Sequence, residues 1–429
     1  MTDESGEVPL SLDERLIDAD GHVLEPADLW ERYLESRYRD RAIRIIRGAD
    51  DYEILEVAGT RSKLTNAFRL HTFGGMEDLK AKGASIAEEN ARRRPTMMAR
   101  EGEATPTFHT FDLTPDDTYE SGNAFGGRDA TERLTLLDRE GLDKAILYPT
   151  LGLLWECETP DAELAAAYCR AYNRWIAEFC ADSDGRLVPI AHISFADPDA
   201  AAKELHRAAG EGCKGAFAAP FTITRKPHGH QDHDPIFSAA QDLGLPLGLH
   251  PMLEQPASSV HQRFDGLEWA DWYFDLFAGG GVPQAFATLF QYGVFDRFPD
   301  LKVVLLEASA GWIGGWLDRA DAIYEGTALG ATVQLAEKPS YYFRRQCYVS
   351  ADPHETTIAA QTKLLGDDKF FWASDYPHMD HPADYLDALP RLTAGMSGDA
   401  RRGILGETAN RVYNLSERRA PNAWSAASA

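Results

Sequence analysis

Cysteine, positive charge and long apolar runs are what this 429-residue chain has least of. Its five cysteines (Cys157, Cys169, Cys180, Cys213, Cys347) are an odd number without a CxxC pair. That is the usage of a reducing compartment rather than a disulfide framework. Lys and Arg number 43 against 68 Asp and Glu, a formal charge of −25. Such a balance repels phosphate backbones and anionic headgroups, which argues against nucleic-acid and membrane-surface partners. No apolar run approaches the about 20 residues of a membrane span, and the opening MTDESGEVPL is acidic where a signal peptide is basic. There is no GxSxG elbow, and no cysteine sits in a catalytic setting, so covalent acyl catalysis is disfavoured. The expectation is a cytoplasmic protein acting on a small molecule, assembled as a homo-oligomer, in the simplest case a dimer.

What the chain does have is apolar residues, at 44%, and a regular alternation. Strand-type runs occur at 15–20, Lys144–Tyr148, Leu187–Ile193, Gly215–Ala219, Pro246–His250, Lys302–Leu306, Gln346–Ser350 and Phe370–Ser374. Helical periods lie between them, opened by cap and first-turn signals at Thr159-Pro160-Asp161, Asp197-Pro198 and Asp234-Pro235. Eight buried runs in βα alternation predict a parallel sheet closed into a (β/α)8 TIM barrel, with an open doubly wound sheet as the rival. The polar, irregular stretch from Gly21 to Arg133 is too long for an ordinary connection. Residues 50–125 are therefore expected to form a lid or insertion in a single domain spanning 15–416. Residues 1–14 and 417–429 are expected to be disordered.

In such a barrel, function sits at the C-terminal strand ends. The first strand ends Asp18-Ala19-Asp20-Gly21-His22, and a period of two puts Asp20 and His22 on one face. The fifth ends in His250, the sixth runs into Glu307, and the eighth runs into Asp375-Tyr376-Pro377-His378. Each alone is ordinary: a hydrogen-bonded core histidine, or a cap for the next helix. Two imidazoles and three carboxylates converging from four strands are costly unless a cation neutralises them. Asp20, His22, His250, Glu307 and Asp375 are therefore the candidate metal ligands.

The stretches Asp18-x-Asp20-x-His22-x-x-Glu25-Pro26, Leu249-His250-Pro251, Glu307-Ala-Ser-Ala-Gly-Trp312 and Ser374-Asp375-Tyr376-Pro377-His378 resemble the amidohydrolase superfamily. The resemblance is closest to the amidohydrolase-2 branch that includes aminocarboxymuconate semialdehyde decarboxylase, and it runs from about Leu16 to Leu415. It implies a distorted barrel in which His22, His250 and Asp375 match the family's ligands. Two departures stand out. Asp20 occupies the first position of the family's His-x-His, and Glu307 stands where a sixth-strand histidine acts near the metal. With three carboxylates, one divalent ion leaves −1 and a pair leaves +1. One ion of zinc, iron or manganese is the reading adopted, with two allowed.

The activity expected is that of a metal-dependent hydrolase in which Asp375 moves the proton of a metal-activated water, Glu307 is a ligand or a base, and His378 or Tyr376 donates to the substrate carbonyl. The scissile bond is left open between amide, ester, thioester and an activated C–C bond. Non-oxidative decarboxylation of an aromatic or unsaturated acid is the alternative, and a metal-free binding barrel is the third reading. His192 inside the third strand is either core or substrate contact. Trp269 and Trp272, in an aromatic-rich segment after the fifth strand, are candidates for an apolar substrate wall. The cluster His228, His230, His233 reads as a solvated loop rather than a metal site.

Overall fold

The computed structural model describes residues 8–11, 14–63, 70, 114–122, 124–254, 276–326, 328–333, 335–378 and 385–415. Eight parallel strands follow one another around a barrel: β1 Ile17–His22, β5 Lys144–Tyr148, β6 Leu187–His192, β7 Gly215–Ala218, β8 Leu247–Leu249, β9 Val303–Leu305, β10 Cys347–Ala351 and β11 Phe370–Trp372. Every residue of all eight is buried. That is the condition of strands covered on both faces, and it is why they read as continuous apolar runs. The last strand returns to the first: Asp375 N donates to Asp20 O at 2.9 Å and His22 N to Tyr376 O at 2.7 Å. The buried Asp18 carboxylate completes the seam, accepting from Ser374 N at 2.9 Å and Ser374 Oγ at 2.7 Å. The (β/α)8 barrel is therefore the fold.

Between β1 and β5 the chain does more than expected of an irregular stretch. It builds a small antiparallel sheet of β2 Arg44–Arg47, β3 Glu53–Val57 and β4 Thr60–Arg61. β3 and β4 are joined by Ala58 (φ 54°) and Gly59 (φ 76°), the two left-handed residues that a tight hairpin needs. This sheet lies beside the loop after β5, where Lys63 N donates to Glu158 Oε1 at 2.9 Å and Arg41 pairs with Asp161 at 2.8 Å. It therefore stands at the C-terminal end of β5. Most of 50–125, and both termini, fall outside the described residues.

Four α-helices among the described residues start where Asp129, Asp161, Asp197 and Ser397 take up first-turn amides, and in two places the helix start differs from the expected signal. Asp161, not Thr159, caps the helix Ala162–Cys180, accepting from Glu163 N and Leu164 N. The Thr159 hydroxyl is spent on Trp155 O at 3.2 Å. Asp234 is the first residue of the helix Asp234–Leu243 rather than its cap, because its carboxylate binds Arg297 at 2.8 Å. Asp197 caps Pro198–Gly210 as expected. None of the helices among the described residues is long and apolar enough to cross a membrane.

Candidate metal centre and active site

Four strand ends deliver polar side chains to one buried point. Asp20 and His22 close β1, His250 follows β8, Glu307 lies two residues beyond β9, and Asp375 lies three beyond β11. Glu307 (φ 43°) and Asp375 (φ 53°) hold left-handed backbones, conformations costly for side chains of this kind and kept where the surroundings enforce them. At Glu307 part of that enforcement is visible, since its N–H donates to Ser350 Oγ at 3.1 Å.

His22 Nδ1 sits 2.7 Å from Pro149 O and His250 Nδ1 2.7 Å from Pro251 O. A carbonyl only accepts, so both Nδ1 atoms carry the proton and both Nε2 atoms present lone pairs to the centre. Burial holds the His22 imidazole below its ordinary range, so near pH 7 it is neutral and able to ligate. What these lone pairs meet are other lone pairs. His22 Nε2 is 2.8 Å from Asp375 Oδ1 and 3.6 Å from Asp20 Oδ1. His250 Nε2 is 3.5 Å from Asp20 Oδ1 and 3.3 Å from Glu307 Oε2. Asp20 Oδ1, His22 Nε2 and His250 Nε2 make no hydrogen bond among the described residues, although Asp20 is 1% exposed and both histidines 0%. Such an arrangement of buried acceptors is stable only around positive charge, and the donor set fits a divalent cation.

Two sets of donor atoms lie within 4.8 Å of one another: Asp20, His22, His250 and His22, Asp375, His378. Glu307 belongs to neither. Its side chain is 17% exposed and reaches His250 Nε2 at 3.3 Å, whereas the Asp375 side chain is 2% exposed. Behind Asp375, His378 Nδ1 lies 3.1 Å from Asp375 Oδ1 and His378 Nε2 2.9 Å from Thr150 Oγ1. The amides of Ala310 and Gly311 go to Glu355, each at 2.8 Å.

The remaining expected residues divide. Tyr376 is turned toward the barrel wall, its hydroxyl donating to Phe125 O at 2.8 Å and its ring lying under the Arg133 guanidinium. His192 ends β6 and is engaged with Glu156 at 3.0 Å. Trp269 and Trp272 fall outside the described residues. The histidine loop is not solvated at its core. His228 and His233 are buried, with ring nitrogens 2.9 Å from Ala219 O and His228 O respectively. A cavity of about 410 Å³ runs beside that loop, lined by Phe195, Pro198, Lys226 and His233.

Three carboxylates escaped the sequence reading as working parts. Glu25 accepts from Thr150 N, Leu151 N and Gly152 N at 3.0, 2.9 and 2.8 Å. Burial nevertheless pushes it above the usual carboxylate range. Glu156 pairs with His192, and Glu355 holds the loop after β9. Glu25 carried a signal in its Glu-Pro dipeptide, while Glu156 and Glu355 lie in loops with none.

A family model for amidohydrolases matches residues 125–415. The chain belongs to the amidohydrolase family, in its amidohydrolase-2 branch. Among curated proteins, this amidohydrolase is 26% identical over 294 residues to the gamma-resorcylate decarboxylase of Rhizobium sp. strain MTP-10005, covering 66% of this chain and 86% of that one. An amidohydrolase of Mycobacterium avium subsp. paratuberculosis K-10 superposes with a TM-score of 0.73 at 20% identity, over 94% of this chain and 100% of that one. A dihydroxybenzoic acid decarboxylase of Polaromonas sp. JS666, solved with manganese and the inhibitor 2-nitroresorcinol, superposes with a TM-score of 0.59 at 22% identity, over 74% and 93%.

These comparisons correct the expected activity. Hydrolysis was read from the ligands, and from Glu307 replacing a histidine, yet the curated relative matched over most of its length is named a decarboxylase. The physical reason is that strand-end ligands specify where a cation is held, and a held cation serves either reaction. The chain is an enzyme, and its centre is built for a divalent metal.

Proposed function

We propose that this amidohydrolase is a non-oxidative, metal-dependent decarboxylase of an aromatic or unsaturated carboxylic acid. The observation that carries the reading is the match to gamma-resorcylate decarboxylase over 86% of that enzyme. The same chain presents buried acceptors at three strand ends, with the part-exposed Glu307 at a fourth.

Asp20, His22, His250 and Asp375 hold the ion. Both donor triads include His22, whose Nε2 faces Asp20 and Asp375 alike, and one nitrogen lone pair binds one cation, which favours a single ion over a pair. The oxygen-rich set suits manganese, with zinc and iron as the alternatives. When bound, the ion supplies positive charge that draws in the substrate carboxylate and an oxygen beside it.

The reaction exchanges a carboxylate for hydrogen. A proton is added to the carbon bearing the carboxylate, the C–C bond breaks, its electron pair returns to the ring, and CO2 leaves. Asp375 is placed to deliver that proton. His378, hydrogen-bonded between Asp375 and Thr150, orients it and returns a proton afterwards. Glu307, the most exposed of the three carboxylates, lines the open side of the centre beside His250.

The test is incubation of protein loaded separately with manganese, zinc and iron(II) with a panel of hydroxylated benzoates and unsaturated acids. Released CO2 and the decarboxylated product are measured, and in D2O one deuterium is expected at the carbon that bore the carboxylate. Metal-loaded protein that releases no CO2 from any member of the panel overturns the proposal.

A further inference from the structure

One side chain away from the centre lies a second buried acid–imidazole pair. His192, Phe217 and His250 come from consecutive strands. The His192 and Phe217 rings stack at 4.5 Å, and Phe217 meets His250 edge-on at 5.9 Å. Asn173 pins the His192 backbone, taking its N–H at 2.7 Å and donating to its carbonyl at 3.0 Å. His192 Nε2 lies 3.0 Å from Glu156 Oε2, and Glu156 Oε1 accepts from Ser194 Oγ at 2.6 Å. Ser194 thus binds the acid and not the imidazole, so the trio is no nucleophile–base pair. A carboxylate only accepts, so the Glu156 contact puts the proton on Nε2 and leaves Nδ1 as an acceptor.

That acceptor is buried and has no hydrogen-bond partner among the described residues. The Trp155 and His192 ring centroids are 5.2 Å apart, and Trp155 Nε1, a donor, is likewise buried and without a hydrogen bond among the described residues. Orphaned polar atoms are costly in a packed interior. One acceptor and one donor on neighbouring rings are the complement of a hydroxyl group, which gives one hydrogen bond and takes another. Phe217 and Trp155 supply aromatic surface around the pair.

We propose that His192 Nδ1 and Trp155 Nε1 together bind a hydroxyl carried by the substrate ring, so that this site selects hydroxylated aromatic acids over methoxylated or unsubstituted ones. The inference rests on the decarboxylase reading for the class of substrate. It is tested by binding, without turnover.

Manganese-loaded protein is titrated calorimetrically with benzoate and with its hydroxy and methoxy derivatives at each ring position. The wild type is expected to favour hydroxyl at one position by about 10- to 100-fold, the range set by leaving buried polar groups unmatched. His192→Phe and Trp155→Phe are each expected to abolish that preference while keeping manganese stoichiometry and the melting temperature. Glu156→Gln is expected to reverse it. Ser194 holds the amide oxygen, the amide nitrogen donates to Nε2, the proton moves to Nδ1, and methoxy becomes the better partner. Equal wild-type binding of hydroxy, methoxy and unsubstituted acids, as when the pair merely holds a buried water, overturns the inference. So does a hydroxyl preference that survives both His192→Phe and Trp155→Phe. Selective binding without CO2 release defeats the decarboxylase reading alone, whereas CO2 release with no dependence on His192 or Trp155 defeats this one alone.

Discussion

Replacing Glu25 tests whether the loop after β5 is organised by one buried carboxylate. The side chain is fully buried and takes three consecutive amides, Thr150 and Leu151 on Oε2 and Gly152 on Oε1. Hydrogen bonds to a charged acceptor contribute roughly 1.5–3 kcal/mol each. Removing the carboxylate also removes its desolvation cost, which is visible as its raised pKa. The net loss expected for Glu25→Ala is therefore about 3–5 kcal/mol, the size usual for breaking a buried network. Glu25→Gln keeps one oxygen for Thr150 and Leu151 and turns its amide nitrogen on Gly152 N–H, so its loss should be roughly 1–3 kcal/mol. Urea unfolding followed by tryptophan fluorescence at fixed saturating metal measures both. The same loop carries Thr150, the partner of His378, so Glu25→Gln should also slow turnover while metal content stays unchanged. A Glu25→Ala protein within 1 kcal/mol of wild type, a threshold well under the expected network loss, would mean that the amides find other acceptors and that the clamp is not what positions Thr150.

Three further outcomes follow from the centre and its surroundings. His22→Ala and His250→Ala should each lose stoichiometric metal, read by elemental analysis, while circular dichroism still reports a folded barrel; full metal retention in both variants removes them as ligands. Glu307→Gln keeps shape and removes one charge, and should cut turnover by at least about 100-fold; a change of only a few-fold places Glu307 outside the reaction. Glu254 is pushed by burial from 4.5 up to about 7, so its contribution to stability is fully present below pH 4.5 and lost as pH rises through about 7. Glu254→Gln should remove that loss, gaining up to about 3 kcal/mol at pH 8 and little at pH 4; a gain independent of pH would show that the carboxyl is not buried in its acid form.

The barrel was legible because its strands are apolar without interruption, a pattern that only two-sided burial sustains. The misplacements have local causes. The apolar run of the first strand was bounded at Asp20 and the irregular stretch begun at Gly21, although the period of two was carried on to His22. In the structure His22 still pairs with Tyr148 in the ladder, since a ligand position buries polar residues that elsewhere mark a strand end. The β2–β4 sheet escaped notice because Arg44, Arg47, Glu53 and Glu56 flank the apolar pairs Ile45-Ile46 and Ile54-Leu55, so neither strand shows a period of two or a continuous apolar run. Three pairings explain why the charges sit there: Arg44 opposite Glu56, Arg47 opposite Glu53, and an Arg44–Glu31 ion pair at 2.7 Å. Glu156 and Glu355 were invisible for a different reason. Each acts on groups distant in sequence, the ring of His192 and the amides of Ala310 and Gly311, and no spacing rule reaches across such intervals.

The residues that hold an ion do not state which bond breaks beside it, and here the difference lies in protons. Hydrolysis begins with a base that takes a proton from water and only later needs an acid. Decarboxylation begins with an acid that gives a proton to carbon. Asp375, His378 and Thr150 form one buried line, 2%, 7% and 1% exposed, whose far end is fixed by the three amides that Glu25 gathers around Thr150. A line of this kind, buried along its length, holds a proton at Asp375 until it passes to carbon, and the one proton that each product carries away is replaced from solvent before the next turnover. Glu307 has a left-handed backbone fixed by Ser350 and a side chain facing the open side of the centre. It stands apart from that line, 3.3 Å from His250 Nε2, and on the proposed reading acts on the substrate oxygen instead. On the proposed reading, Asp375 handles the proton at carbon and Glu307 faces the substrate's polar edge. With Glu307 in place of the family's histidine, the second group differs in this chain while the first follows the family pattern, so the point at which this enzyme parts from its relatives is expected to be the acid it selects rather than the step it performs.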